Sequence, residues 1–368
     1  MVSIRMVSIH GKKGMRELIG NPNRSYRISY MEYTLPSIRR LEYPIHLPED
    51  FTSDFKDRRD ISYKPLFSAS IENGHVIGYG NIISPDHFII DDATPDYETA
   101  RYHDKVSLLK GETTIGPPQY VDGRLFVMSA MYCDSYYHWL YHSIPKLKLV
   151  SGFQFDKIYA NYGKKYQKEW LDLLGIPADT IIPANNDTHI KARELVFTSY
   201  LSILSDYAIA SLREMAIKYG EKSKRDGQKI YISRNDTPSK RTLVNEHEVS
   251  SFLRTEGFEK YELTKLSVKD QIKLFSSASF VIGPHGAGIG NIVFCKEGTK
   301  VIEIFDPGYV HPCMWMQVPS LKLQYGYVIG DGEKDLNRSF LERLCKPITV
   351  NIEKFKTMYY ELKKLPSC

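Results

Sequence analysis

The sequence predicts an α/β protein of two Rossmann-like halves facing a cleft, and three observations predict it. Short apolar runs alternate with helix-like segments at the spacing of β-α-β units around a parallel sheet. The chain has 368 residues, a length that suggests two domains. A buried-strand pattern, Phe280-Val281-Ile282, ends in a turn carrying Gly283, Gly286, Gly288 and Gly290.

Residues 1–60 are polar, basic and irregular, and read as an N-terminal extension or loosely packed cap. From Pro65 to Asp92 the β-like runs FSASI, HVIGYGNII and HFII alternate with turn signals, a small meander. LFVM (125–128) reads as a strand, and YYHWLYHSIPKLKLV (136–150) as an amphipathic helix disturbed at Pro145. KIYA (157–160) is a strand, KKYQKEWLDLL (164–174) a helix stopped by Gly175 and Pro177, and ELVFT (194–198) a strand. A helix over roughly 206–219 follows, and the charged connector Lys222 to Gln228 marks the domain boundary.

In the second half KIYIS (229–233) is a strand, and Asn245 with Glu248 forms a capping-box pattern for a helix closed by Gly257. Lys260 to Leu263 is a short strand, Ser267 and Asp270 cap the next helix, and KVIEIF (300–305) is the strand after the glycine turn. A last helix, roughly 352–364, is expected to pack across the domain seam. The expected domains are therefore 61–222 and 223–350, with 351–368 as a crossover helix.

Composition narrows the function classes. Hydrophobic residues are 42% and charged residues 25%, ordinary for a globular protein. A net charge of +5 fits an anionic small substrate or peripheral contact with an anionic membrane, and gives no reason to expect nucleic acid. The 26 tyrosines suit a sugar-binding cleft and equally suit half-buried packing. Five cysteines without a CxxC pair argue against a disulfide framework or structural zinc, and for a reducing, cytoplasmic setting. No apolar run approaches the roughly 20 residues that a membrane span needs.

Ligands of open parallel sheets sit beyond the carboxyl ends of the strands. Glycines admit a ligand close to the backbone, and the first N–H groups of a following helix point at an anion. The turn therefore suits a phosphate or diphosphate, with His285 as a further donor, although such turns also serve plain strand-to-helix packing. Ser233 and Arg234 end the KIYIS strand and Arg241 lies in the loop beyond. Two arginines there would clamp a diphosphate, or as loop residues simply face water. Glu303 interrupts an apolar strand. It either accepts hydrogen bonds from ribose hydroxyls or pairs with a structural arginine, and its location favours ribose.

In the first half Asp134, His138 and His142 cluster in CDSYYHWLYH. His138 and His142 share a helix face at i, i+4. Zinc accepts that spacing, but Trp139 stands where a zincin carries Glu, which rules out a metalloprotease. A structural role for either histidine stays open. The chain has no DxD triplet to hold a metal against a diphosphate, no GxSxG elbow and no Walker A sequence.

HGAGIGN (285–291) followed by VIEIF, and preceded by YISR, Arg241, NEHEV and LSVKDQIKLFSSASFVIG, resembles the C-terminal half of glycosyltransferase family 61. Upstream, SYYHWLYHSIPKLK is similar to that family's Tyr-His-Trp segment, which usually continues to an acidic residue and a Pro-Arg pair. Here His142 stands at the acidic position and Lys146 at the arginine. The resemblance spans roughly residues 65–310. It implies a GT-B fold and inverting transfer from a nucleotide sugar, UDP-linked, with no metal and no other cofactor. The acceptor it implies is an oligosaccharide or glycolipid, in surface polysaccharide or glycoconjugate synthesis.

It further implies that Arg234 and Arg241, beside Ser233, hold the donor phosphates. Gly283, His285, Gly286, Ala287 and Gly288 would cradle the diphosphate, Asn291 would brace the turn and Glu303 would bind the ribose. An inverting transfer needs a base for the acceptor hydroxyl, expected from the N-terminal domain as His138 or Asp134. Two other readings compete. Gly286, Gly288 and Gly290 with Glu303 approximate a dinucleotide fingerprint of an NAD-dependent oxidoreductase, but Asn291 occupies the position of its third glycine. A non-catalytic nucleotide- or glycan-binding relative would lack the base.

Overall fold

The computed structural model describes residues 7–8, 10–34, 37–42, 54–55, 59–94, 114–202, 205–220, 227–237, 241–334, 339, 342 and 345–366. These fall into two compact units, Met1–Ser37 with Tyr63–Ser211, and Ile38–Ser62 with Leu212–Cys368. The charged connector read as the boundary lies mostly outside the described residues.

The first unit is built on a ten-stranded mixed sheet. Its parallel part runs in the order Ile181–Pro183, Lys157–Ala160, Gln119–Val127, His189–Thr198. In chain order this is 3-2-1-4, with a topological reversal between the strands Gln119–Val127 and His189–Thr198. The ten residues of His189–Thr198 are long enough to pair antiparallel with two partners on one edge, His75–Ile77 and Leu66–Glu72. The runs read as a small meander do pair antiparallel in succession, His75–Ile77 with Asn81–Ile83 and that strand with Ile89–Ile90, and they extend the parallel sheet. Ile71, Leu125, Val127, Leu195 and Phe197 supply much of its apolar core.

The second unit is the cleaner β-α-β array. Its strands, labelled β1 (Gln228–Ser233), β2 (Phe258–Glu262), β3 (Ala278–Pro284), β4 (Lys300–Phe305) and β5 (Gln324–Ile329), are all parallel in the order β2-β1-β3-β4-β5. This doubly wound order reverses between β1 and β3, where ligands bind in such sheets. Ser267 caps the helix Val268–Ser276 by accepting from the Asp270 N–H, as its sequence pattern predicts. Asn245 departs from its predicted capping-box role: it brackets Val350 instead, donating to its carbonyl and accepting from its N–H.

One expectation is corrected. Residues 1–60 are not a detached polar extension: Ile28–Thr34 pairs with Leu66–Glu72, Met15 and Leu18 are buried, and Phe55 packs on Trp315 and Tyr327 of the second unit. The helix Ile352–Lys364 turns Phe355, Tyr359 and Leu362 into the core of the second unit's own sheet. Tyr359 meets Phe258 of β2 and Phe280 of β3, so its apolar face is already covered there.

Candidate functional site

The residues singled out in the second unit converge at its switch point. Arg234 follows the last residue of β1, and Gly286 follows β3 by two residues. A Cβ on Gly286 would stand 1.7 Å from Arg234 Nη1 and 2.6 Å from Cζ, so the guanidinium lies directly on the turn backbone. Gly286 is glycine for that close approach; its φ of 163° is ordinary extended backbone. Gly283 and Gly288 are packed in their turn against Ile232 and Leu263. The segment Ala287–Phe294 beyond is a 3-10 helix, tighter than the α-helix the sequence suggests. Buried Asn291 ties it down, its amide donating to Gln271 Oε1 at 3.0 Å and to the Gly288 carbonyl at 3.1 Å.

Arg234 and Arg241 are 8% and 9% exposed. Arg234 Nε and Arg241 Nε and Nη1 are buried without a hydrogen-bond partner among the described residues. Arg241 lies over the Tyr309 ring, 5.1 Å from its centroid. Burial, and then repulsion from Arg241, push the Arg234 pKa down to about 10; burial likewise lowers that of Arg241. Unpaired buried charge is costly unless an anion meets it.

His285 lies beneath, stacked on Phe305, with its Nδ1 2.5 Å from Glu303 Oε1. Tyr325 OH donates to Glu303 Oε2 at 2.6 Å. Glu303 is fully buried with both oxygens engaged, which places it under His285 and takes away the exposure that ribose binding needs. Burial pushes the Glu303 pKa up to about 8, against the opposing pull of Tyr325 and Arg241. Burial and the fields of Arg241 and Arg234 hold His285 well below its usual range. Burial thus disfavours charge on both groups, and a hydrogen bond joins His285 Nδ1 to Glu303 Oε1.

Ser233 is likewise drawn elsewhere. Its hydroxyl donates to Glu246 Oε1 at 2.6 Å, in a buried cluster where Tyr231, Asn235 and Lys260 also bind Glu246. Sequence reading missed Glu246 and Tyr325. Nothing marked Glu246 beyond its place in NEHEV, and Tyr325 lies on β5, which was not read as a strand. His285, His311 and Cys313 each offer a metal-ligand atom within 4.8 Å of the others. The two arginine charges acting on His285 oppose a cation there and favour an anion.

In the first unit the His138 segment leaves the reversal point of the sheet. Tyr136–His138 is α-helical, Trp139–Ser143 widens into a π-helix, and Lys146–Leu149 resumes after Pro145. π-segments often accompany functional sites. His142 is buried, its Nδ1 2.5 Å from the Leu201 carbonyl and its Nε2 3.1 Å from His138 Nδ1. His138 is half-buried, and burial pushes its pKa down to about 4, so the ring is neutral at physiological pH. Asp134 is exposed and accepts from Tyr79 OH, Asn161 Nδ2 and Gln167 Nε2 at 3.3–3.4 Å.

Fold and site together define a class: a two-unit α/β protein with a candidate anion cradle at the switch point of its second sheet. A family model described as Glycosyltransferase 61 matches residues 136–302 of the chain. The chain is 36% identical over 80 residues to the beta-1,2-xylosyltransferase RCN11 of Oryza sativa subsp. japonica, covering 19% of this chain and 15% of that protein. It is 38% identical over 50 residues to the beta-1,2-xylosyltransferase of Arabidopsis thaliana, covering 14% and 9%. The chain thus spans less than a sixth of the length of either relative in these matches.

Proposed function

We propose that the protein is an inverting, metal-independent glycosyltransferase that moves a sugar from a nucleotide-sugar donor, UDP-linked, to a glycan acceptor. The observation that carries this reading is buried Arg234 seated on the glycine turn, with buried Arg241 close enough to repel it and with Nε of each unpartnered among the described residues. A diphosphate supplies the missing charge, and Arg guanidinium groups fit its oxygens in a bidentate way. The names of the two plant relatives favour a pentosyl donor such as UDP-xylose.

In the proposed step the acceptor hydroxyl oxygen attacks the anomeric carbon, the bond from that carbon to the diphosphate breaks, and the electron pair leaves with the diphosphate. Arg234, Arg241 and His285 meet the developing charge, the kind of preorganised stabilisation that dominates such reactions. His138 takes the hydroxyl proton; Asp134, already accepting from three donors, is the poorer base. The reading is of GT-B type, with domains 61–222 for the acceptor and 223–350 for the donor, adjusted by residues 38–62 joining the second unit. Among the described residues no helix is long and apolar enough to cross a membrane.

The test is release of nucleoside diphosphate from a panel of nucleotide sugars, with chelator present and glycan acceptors added in turn. Release that rises with an acceptor and yields an inverted linkage supports the proposal. Absence of release from every donor, with binding intact, points to a non-catalytic relative.

A further inference from the structure

We propose that His142 is the positioning residue for His138, fixing the proton of His138 on Nδ1 so that Nε2 is the atom that accepts the proton of the sugar hydroxyl. This rests on the reading of His138 as the base. The argument begins at the Leu201 carbonyl, which can only accept. His142 Nδ1, 2.5 Å away, therefore carries the hydrogen of that bond. His142 is fully enclosed, and burial with the neighbouring His138 and Lys146 holds it neutral despite the bond to Leu201. A neutral imidazole protonated at Nδ1 has a lone pair at Nε2. That lone pair faces His138 Nδ1 at 3.1 Å. Two lone pairs at such a distance would repel, so His138 Nδ1 bears hydrogen and its Nε2 does not.

Tyr200 OH also reaches His142 Nε2, at 3.2 Å. Its ring lies 4.9 Å from that of His142 at 28°, and the His138 ring lies 5.2 Å from it at 13°. Tyr200 and Leu201 follow the strand His189–Thr198, and the histidines follow Gln119–Val127, the two neighbours that bracket the sheet's reversal. The chain from Leu201 through His142 to His138 thus spans the place where ligands of such sheets bind. The π-turn, marked by the Ile144 N–H donating to the Trp139 carbonyl, sets the two rings nearly parallel.

The test reads the tautomer directly. ¹⁵N NMR of the histidine rings in the full-length protein should show His138 protonated at Nδ1 and bare at Nε2. His142→Phe keeps a stacked ring but removes the acceptor. It should release His138 into a mixture of tautomers and cut kcat by about 10²–10⁴-fold with KM unchanged, the scale seen when a base is left in the wrong tautomer. His142→Gln, whose amide donates at one end and accepts at the other, should restore kcat to within about 10-fold of the parent. A parent protein with His138 protonated at Nε2 overturns the proposal, whether or not the variants fold. So does a folded His142→Phe protein with unchanged tautomer and kcat. The NMR result needs no turnover. Loss of the base reading would instead show as His138→Ala retaining full activity.

Discussion

Arg234 and Arg241 hold two buried guanidinium charges whose Nε atoms have no partner among the described residues, at a cost in stability that a bound diphosphate would offset. Replacing Arg241 with Met should therefore raise the melting temperature of the ligand-free protein, by about 1–3 kcal/mol of stability, while abolishing stabilisation by a nucleoside diphosphate. Differential scanning fluorimetry with and without ligand checks both halves, and a ligand-free variant less stable than the parent would contradict the account. At His138 the prediction is separation of binding from chemistry. His138→Ala should keep nucleotide affinity and lose transfer by at least about 10²-fold. Because its pKa lies at about 4, kcat/KM should rise with unit slope up to about pH 4 and then stay level toward neutrality on this group's account. A limb near pH 6.5 would place the base elsewhere.

The glycine turn is where single positions separate shape from ligand. Gly286→Ala puts a methyl 1.7 Å from Arg234 Nη1, so the arginine must leave the turn and diphosphate affinity should fall by about 10-fold or more. Gly288→Ala meets only Leu263 Cδ1 at 2.8 Å, the movable end of a side chain, and should bind nearly as the parent does. Calorimetric titration of both variants checks this, and equal binding would remove Arg234 from the site. The elements around the turn were readable because they are local: β1, β3 and β4 are apolar runs, and the Ser267 cap is a short-range pattern. β5 was missed because Gln324-Tyr325-Gly326-Tyr327 mixes polar groups and glycine into a buried strand. With it went Tyr325, and so the reason Glu303 sits inside. The fates of Ser233 and Asn245 were equally invisible, since their partners Glu246 and Val350 are fixed by tertiary structure. The π-widening before Pro145 registered in the sequence only as a disturbed helix.

Across the whole molecule, several buried histidines set the response to acid. Burial pushes His75 down to about 3 and His138 to about 4, and holds His142 and His285 well below 6.5. Below pH 6.5 the unfolded chain takes up protons that the folded one refuses, so stability should fall as pH drops from 6.5 toward 4. Glu303 acts in the opposite sense: its raised pKa of about 8 gives stability that is lost as pH rises from about 4.5 through 8. Thermal melts against pH should therefore peak near 6.5, and Glu303→Gln should flatten the alkaline side while steepening the rise between about 4.5 and 6.5. At this scale the sequence reading erred where long-range pairing decides, as in the first 60 residues, whose strands and apolar anchors are absorbed by the two units.

The most direct measurement of the central claim is the melting temperature of the purified protein with UDP and, separately, with NAD, each in excess chelator. The account predicts a clear rise with UDP that is lost in an Arg234→Met, Arg241→Met double variant, and no rise with NAD. Stabilisation by NAD alone, or by UDP equally in parent and double variant, would contradict it.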